Sequence, residues 1–188
     1  VFSYRRVVNA TFSGGATYNG EELKAGVNAS FTDNTVMTNV SSEKIPYQVV
    51  YPEGYQGNVT NAGSYTLELR RNSSEFYVLA NETPSFTFTV SKASLTATFE
   101  VTGTGYTYGE LVTDSGNENY FGNKIAYTLD PAGLLGADKG ITDITALGGS
   151  LSFAAITGQD ENDYLEAGSY TPTPNAVTTN YTISVVWK

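Results

Sequence analysis

The residues of this chain that could do chemistry are carboxylates and tyrosines. The tightest acidic group is Asp160-Glu161-Asn162-Asp163, and closely spaced oxygen ligands in a loop could bind Ca²⁺. The group lacks the glycine and the bidentate glutamate that an EF-hand loop places at its sixth and twelfth positions. We name Asp160, Glu161 and Asp163 as candidate metal ligands, but we expect a solvated loop between strands and no cofactor.

Paired carboxylates could also hydrolyse glycosides, and Glu110 with Asp114 or Glu161 with Asp163 would be the pairs. Proximity in sequence does not set the separation that two carboxyl groups need across a sugar, and we expect no cleft in modules this small. The chain has no His and no Cys, which excludes Ser-His and Cys-His pairs, thiolate nucleophiles and Cys/His zinc sites. The sequence therefore predicts a non-catalytic protein.

Tyrosines are the best candidates for ligand contact, because each joins a large apolar ring to a polar hydroxyl and can stack on a sugar. Two groups could expose such a face, namely Tyr47, Tyr51 and Tyr55, or Tyr106, Tyr108 and Tyr120. Tyr65 and Tyr170 hold matching places in a repeat, as do Tyr47 and Tyr127. Matching places indicate a shared role in the core or at a corner where the hydroxyl ties a loop. Tyrosines present in one copy only are freer for function. These candidates are Tyr51, Tyr55, Tyr106 and Tyr120.

The charge and composition narrow the class of partner. The formal net charge is −9, which argues against nucleic acid and fits a soluble, self-repelling protein outside a cell. No apolar run is long enough to span a bilayer, so we expect no membrane insertion. Small secreted eukaryotic domains usually depend on disulfides, so a cysteine-free extracellular chain indicates bacteria. No signal peptide is visible, and we expect this chain to be part of a longer protein.

The elements that carry these residues occur twice. Three landmarks recur in the same order, which predicts two copies of one module, at residues 1–91 and 92–188. Arrays of small modules build surfaces and spacers more often than active sites. The landmarks are Ala10-Thr11-Phe12 with Ala97-Thr98-Phe99, Lys44-Ile45-Pro46-Tyr47 with Lys124-Ile125-Ala126-Tyr127, and Ala62-Gly63-Ser64-Tyr65-Thr66 with Ala167-Gly168-Ser169-Tyr170-Thr171.

Alternating apolar and polar residues predict one strand after another. In the stretch 85–90, Phe86, Phe88 and Val90 alternate with hydroxyl residues, which is typical of a strand with one buried face. Leu95, Ala97 and Phe99 set the register of the next strand in the same way. The best helix candidate is the stretch 131–139, with a Pro-Ala start and two leucines. The predicted strands are 7–12, 47–51, 64–70, 75–79, 85–90, 95–101, 124–129, 150–156, 168–171 and 181–187.

These patterns predict an all-β fold of two tandem antiparallel modules. We expect each module to be a small immunoglobulin-like sandwich. The alternative is a β-grasp-like sheet crossed by one short helix near residues 131–139. No Pro- or Gly-rich linker separates the modules. We expect the last strand of the first module to lead almost directly into the first strand of the second module at Val90-Ser91-Lys92-Ala93.

Several of these motifs resemble the MBG (YGX-type) repeats of bacterial cell-surface proteins. The resemblance spans both modules and is better in the second. The first module departs from it with Tyr18-Asn19-Gly20 and Glu75-Phe76-Tyr77-Val78. The matching motifs are Tyr108-Gly109, Ala167-Gly168-Ser169-Tyr170-Thr171, Asn180-Tyr181-Thr182-Ile183 and the junction Val90-Ser91-Lys92-Ala93-Ser94-Leu95-Thr96.

The resemblance implies tandem all-β modules in a large secreted or wall-anchored protein, often adhesin-like, and it supplies no catalytic residues. We therefore expect an extracellular stalk or adhesion segment at the bacterial cell surface or cell wall. Its expected partners are neighbouring modules of the same longer chain. The alternative is a module that binds a glycan or a host surface protein through exposed aromatic side chains.

Overall fold

A computed structural model of the chain describes residues 5–24, 28–40, 47–51, 58–71, 76–81 and 84–188. The chain divides into two compact units, Val1–Ser91 and Lys92–Lys188. Strands are the main regular secondary structure of both units, and the longest helix among the described residues is a four-residue 3₁₀ turn, Phe121–Lys124. The predicted all-β class is therefore confirmed. No helix in the described ranges is long and apolar enough to cross a membrane.

The first unit is built from two four-stranded sheets. The strand order is β5-β4-β1-β9 in one sheet and β2-β10-β8-β6 in the other, and β3 pairs with β7 apart from both. The strands are β1 (Arg6–Ser13), β2 (Gly15–Thr17), β3 (Leu23–Lys24), β4 (Asn28–Asp33), β5 (Asn39–Val40), β6 (Tyr47–Val50), β7 (Asn58–Val59), β8 (Gly63–Arg71), β9 (Tyr77–Leu79) and β10 (Ser85–Ser91).

Apolar side chains from both sheets share the core of the first unit. Val8 and Phe31 of the first sheet are buried in one cluster with Leu69 of the second. The ring of Tyr47 on β6 packs against Phe31, with their centroids 5.6 Å apart. The alternation predicted for β10 is confirmed, because its apolar side chains turn inward while its hydroxyl residues are exposed.

The second unit has a three-stranded sheet of order β12-β11-β15 and a two-stranded sheet of β13 and β14. On β11, Leu95, Ala97 and Phe99 are at most 1% exposed, which confirms the predicted register. Phe99 also lies 6.4 Å from Phe153 of β13, between ring centroids, and so joins the two sheets. The strands are β11 (Ala93–Val101), β12 (Ile125–Leu129), β13 (Ser150–Phe153), β14 (Pro174–Val177) and β15 (Tyr181–Trp187).

Parallel strand pairs correct the expectation of antiparallel modules. β1 runs parallel to β9, β10 to β2 and β11 to β15. In each unit the last strand lies parallel beside a strand from the beginning of that unit. Consecutive strands joined by short connections are expected to pair antiparallel. Strands far apart in the chain can pair in either direction. The sheets are therefore mixed, and the antiparallel prediction is wrong at these three pairs.

The repeated Ala-Gly-Ser-Tyr-Thr sequence adopts two backbone conformations. In the first unit it enters β8, which pairs with β10 on one side and β6 on the other. In the second unit the predicted strand 168–171 is wrong, and Pro174–Val177 instead pairs with β13, which ends at Phe153 rather than at residue 156. A strand forms only where another strand lies beside it and pairs with its backbone. An identical local sequence does not supply that partner.

The helix candidate 131–139 forms two separate 3₁₀ turns, Pro131–Gly133 and Gly136–Asp138. The Asp130 carboxylate caps the first turn by accepting a hydrogen bond from the backbone N–H of Ala132 at 3.0 Å. Leu134 then becomes extended and is only 2% exposed. Burial of its side chain separates the two turns and prevents a continuous helix.

A buried carboxylate anchors the turn between β4 and β5. The side chain of Asp33 is 1% exposed, and its Oδ1 accepts hydrogen bonds from the backbone N–H groups of Thr35 (2.8 Å) and Val36 (3.2 Å). The guanidinium Nη1 of Arg6 lies 3.1 Å from its Oδ2. The hydrogen bond from Thr35, together with Val36 and the Arg6 charge, holds the pKa of Asp33 below its ordinary value of 3.8, although burial opposes this shift.

The first unit should therefore lose stability in acid through Asp33. A carboxylate with a lowered pKa in the folded state stabilises the fold above its unfolded pKa, and this contribution is lost as the pH falls through the folded pKa. We expect Asp33→Asn to be less stable at neutral pH and less sensitive to acid. Calorimetry from neutral pH down to about pH 2 measures both effects.

Glu21→Gln is the matched control, because Glu21 is an exposed carboxylate of the same unit. It should retain the acid sensitivity of the parent protein. Equal acid sensitivity of Asp33→Asn and the parent would show that the Asp33 turn does not carry the effect.

Candidate functional site

Two long connections of the second unit meet beside its sheets. Residues 102–124 join β11 to β12, and residues 154–173 join β13 to β14. The backbone N–H of Leu165 in the second connection donates to the carbonyl of Leu111 in the first at 3.0 Å. Val112 is 4% exposed beneath this contact. Backbone hydrogen bonding and burial thus hold the two connections together.

A cavity of about 390 Å³ lies within this part of the second unit. Its presence corrects the expectation that modules of this size contain no cleft. Tyrosines 106, 108 and 170, Lys124 and Glu166 supply aromatic and charged groups to its lining. The larger apolar side chains that line it are Leu111, Phe121, Ile125, Ile156 and Leu165.

Hydrogen bonds hold the hydroxyls of all three tyrosines that line the cavity. The Tyr106 hydroxyl donates to the carbonyl of Thr102, and the Tyr108 hydroxyl donates to the carboxylate of Asp160. The Tyr170 hydroxyl lies 2.8 Å from the carbonyl oxygen of Glu166. Each hydroxyl has a single proton, so its oxygen can still accept a hydrogen bond from a ligand. The Tyr108 side chain is 63% exposed.

Of the core or corner role predicted for the repeated tyrosines, the corner role is confirmed for the pair Tyr65 and Tyr170. The Tyr65 hydroxyl donates to the carbonyl of Asn61 at 2.7 Å, and the Tyr170 hydroxyl donates to that of Glu166 at 2.8 Å. Each bond spans four residues back along the chain. The same contact therefore forms in both units although the backbone around it is a strand in one and irregular in the other.

The charged groups of the cavity are opposite in sign. Within the part of the chain that the structure describes, the Lys124 ammonium and the Glu166 carboxylate make no hydrogen bond or ion pair. The N–H of Thr107 donates to Glu110 and holds the pKa of that carboxyl below its ordinary value of 4.5, and the Lys124 charge acts in the same direction. Lys124 and Glu166 are therefore available to a bound molecule.

The four tyrosines that the sequence predicts as ligand contacts do not come together in one site. Tyr106 lines the cavity. Tyr120 is not part of the lining and packs on Phe121, with centroids 4.6 Å apart, while burial raises its pKa. Tyr51 is half-buried in the first unit, and Tyr55 lies outside the described residues.

The sequence offered Tyr108 with Tyr106 and Tyr120 as a possible sugar-stacking face but left it out of the final candidates, and it set Tyr170 aside as a landmark of the repeat. A signal was nevertheless present, since both occur in long segments of the second module that are rich in Gly and polar residues. Loops held by a rigid scaffold commonly carry ligand contacts. Membership in a repeated motif therefore did not exclude a place in the lining.

The acidic run Asp160-Glu161-Asn162-Asp163 forms a turn that the Asp160 carboxylate stabilises. Besides the Tyr108 hydroxyl, Asp160 accepts hydrogen bonds from the N–H groups of Asn162 (2.8 Å) and Tyr164 (3.0 Å). The hydrogen bond from Tyr108 is the main reason why the pKa of Asp160 lies below its ordinary value of 3.8. Glu161 is exposed, and Asp163 adopts a left-handed backbone with φ of 64°.

The described residues contain no group of three or more acidic side chains that could hold a metal ion. In one of the two pairs suggested for glycoside hydrolysis, Glu110 and Asp114, the carboxylates are occupied in a similar way to Asp160. Glu110 accepts the N–H of Thr107, and Asp114 accepts that of Gly116 at 2.9 Å. Each of these carboxylates satisfies backbone donors of its own loop.

The second unit thus presents a cavity with three fixed tyrosine rings, one available cation and one available anion. This arrangement can bind an uncharged polar molecule that has an apolar face. Among known proteins, no protein-family model and no curated protein matches the chain.

Proposed function

We propose that the chain consists of two non-catalytic, extracellular modules of a bacterial surface protein that act as a stalk or adhesion segment. The observation that carries this proposal is the tyrosine contact shared by both units, at Tyr65 and at Tyr170. The recurrence of this contact at matching places of a repeated sequence supports duplication of one module. Tandem modules commonly build extended surfaces and spacers, as the resemblance to MBG (YGX-type) repeats also implies.

We assign each module to an immunoglobulin-like sandwich. In the first unit, the common core of two four-stranded sheets supports this assignment. In both units, the last strand pairs in parallel with an early strand. That shared pairing supports one topology for both modules.

The occupation of the carboxylates supports a non-catalytic role. Glu110, Asp114 and Asp160 each accept a backbone N–H of their own loop. A general acid or base must instead reach a proton of the substrate.

The second candidate function is the binding of a glycan or a host protein. The observation that favours it is the tyrosine-lined cavity of the second unit. A binding module and a stalk are compatible in one surface protein, because a module can both extend the chain and carry a ligand site.

Antibodies raised against the 188-residue protein test the surface location. We expect them to label intact cells of the source bacterium, and we expect brief protease treatment of those cells to remove the label. A cytoplasmic enzyme of the same cells is the control, and it should be labelled only after permeabilisation. Labelling of this protein only after permeabilisation would reject the extracellular proposal.

A further inference from the structure

We infer that the cavity of the second unit is a binding site for a neutral carbohydrate. This inference rests on the second candidate function and specifies both its site and its ligand class. The site consists of Tyr106, Tyr108 and Tyr170 with Lys124 and Glu166.

The tyrosines supply the apolar part of the recognition. The C–H groups of a sugar ring can pack on an aromatic face while the tyrosine hydroxyl remains available for hydrogen bonding. Tyr106, Tyr108 and Tyr170 are each held through the hydroxyl by another residue of the same unit. Because their positions are set before a ligand arrives, binding costs less conformational entropy than it would with mobile side chains.

Lys124 and Glu166 explain why the ligand should be uncharged. A sugar hydroxyl both donates and accepts hydrogen bonds, so it can accept from the ammonium and donate to the carboxylate. Because the two charges cancel, the lining offers neither an acidic sugar nor a basic ligand a net electrostatic attraction. The net charge of −9 on the whole chain further disfavours sulfated or sialylated glycans.

The size of the cavity matches one or two sugar residues of a glycan. Its volume of about 390 Å³ falls near the lower end of the range for small-molecule sites, roughly 300–1,000 Å³. Such a space accommodates a mono- or disaccharide unit. A folded protein would instead need a broad contact surface, so a protein ligand is the less suitable occupant.

The test uses the complete 188-residue protein on an array of neutral, sialylated and sulfated oligosaccharides. We expect saturable binding to at least one neutral glycan. Tyr108→Ala, Lys124→Met and Glu166→Gln should each weaken that binding about tenfold or more, equivalent to about 1.4 kcal/mol. The Tyr108 side chain is largely exposed, so its removal should leave the fold intact.

Lys139→Met and Glu118→Gln are matched controls, because both side chains are exposed and neither lines the cavity. Their binding should equal that of the parent protein, and denaturant unfolding should show that every variant is folded.

The inference would be overturned if the protein bound none of the neutral glycans on the array. Retention of sialylated or sulfated glycans alone would overturn the ligand class, and unchanged binding in all three cavity variants would overturn the location. The surface-labelling experiment is independent of these results. Labelling of intact cells without glycan retention would leave the stalk function standing and reject the carbohydrate site.

Discussion

Replacement of Phe99 with alanine is expected to lower the free energy of unfolding of the second unit by about 3–5 kcal/mol. Phe99 is completely buried on β11. Its ring centroid lies 5.6 Å from Tyr127, 6.4 Å from Phe153 and 5.7 Å from Trp187. These neighbours belong to three different strands, so the space left by the ring cannot close without movement of both sheets.

The fluorescence of Trp187 reports this change directly. It is the only tryptophan of the chain, and it packs on the ring that the mutation removes. Denaturant unfolding of Phe99→Ala followed at Trp187 should show a lower midpoint with an unchanged slope.

Phe76→Ala makes the same chemical change at a side chain that is 67% exposed in the first unit. It should leave the Trp187 transition within about 0.5 kcal/mol of the parent value. A similarly small effect of Phe99→Ala would contradict the placement of Phe99 at the centre of the core.

The second large effect is expected from Gly149→Ala, at about 3 kcal/mol, the upper end of the usual range for overpacking. A Cβ atom on Gly149 would lie 2.1 Å from the carbonyl oxygen of Val177 and 2.9 Å from that of Ile144. Both are backbone atoms, so no rotation of a side chain can relieve the contact. The alanine would have to push apart the start of β13 and the end of β14.

Gly116→Ala is the control for the loss of glycine itself. A Cβ atom at Gly116 would meet no atom closer than 3.4 Å, and that atom belongs to the Asp114 side chain. We expect this variant to unfold within about 0.5 kcal/mol of the parent protein. If both alanine variants were equally stable, the close approach of Gly149 to β14 would be disproved.

Some features of this protein follow from residues close together in the chain. The alternation at Leu95, Ala97 and Phe99 determined which face of β11 is buried, because successive side chains of a strand point to opposite faces. The corner contacts of Tyr65 and Tyr170 likewise agree with the predicted core or corner role, since each contact spans only four residues. Local physics is sufficient for such features.

Other features depend on partners that are distant in the chain. The pentapeptide that contains Tyr65 became a strand because β10 lies beside it, whereas its copy at Tyr170 lacks such a ladder. The helix candidate was divided because the core takes up Leu134. In each case the tertiary environment overrode the local pattern.

The sequence by itself determined the all-β class, the buried faces of the main strands and the corner tyrosines, because these depend on alternation and short-range contacts. Only the tertiary structure decided the parallel strand pairs and the cavity. The pairs join strands at opposite ends of each unit, and the cavity forms where residues 102–124 meet residues 154–173. Contacts between such distant segments are set by the packing of the whole unit, and no local periodicity encodes them.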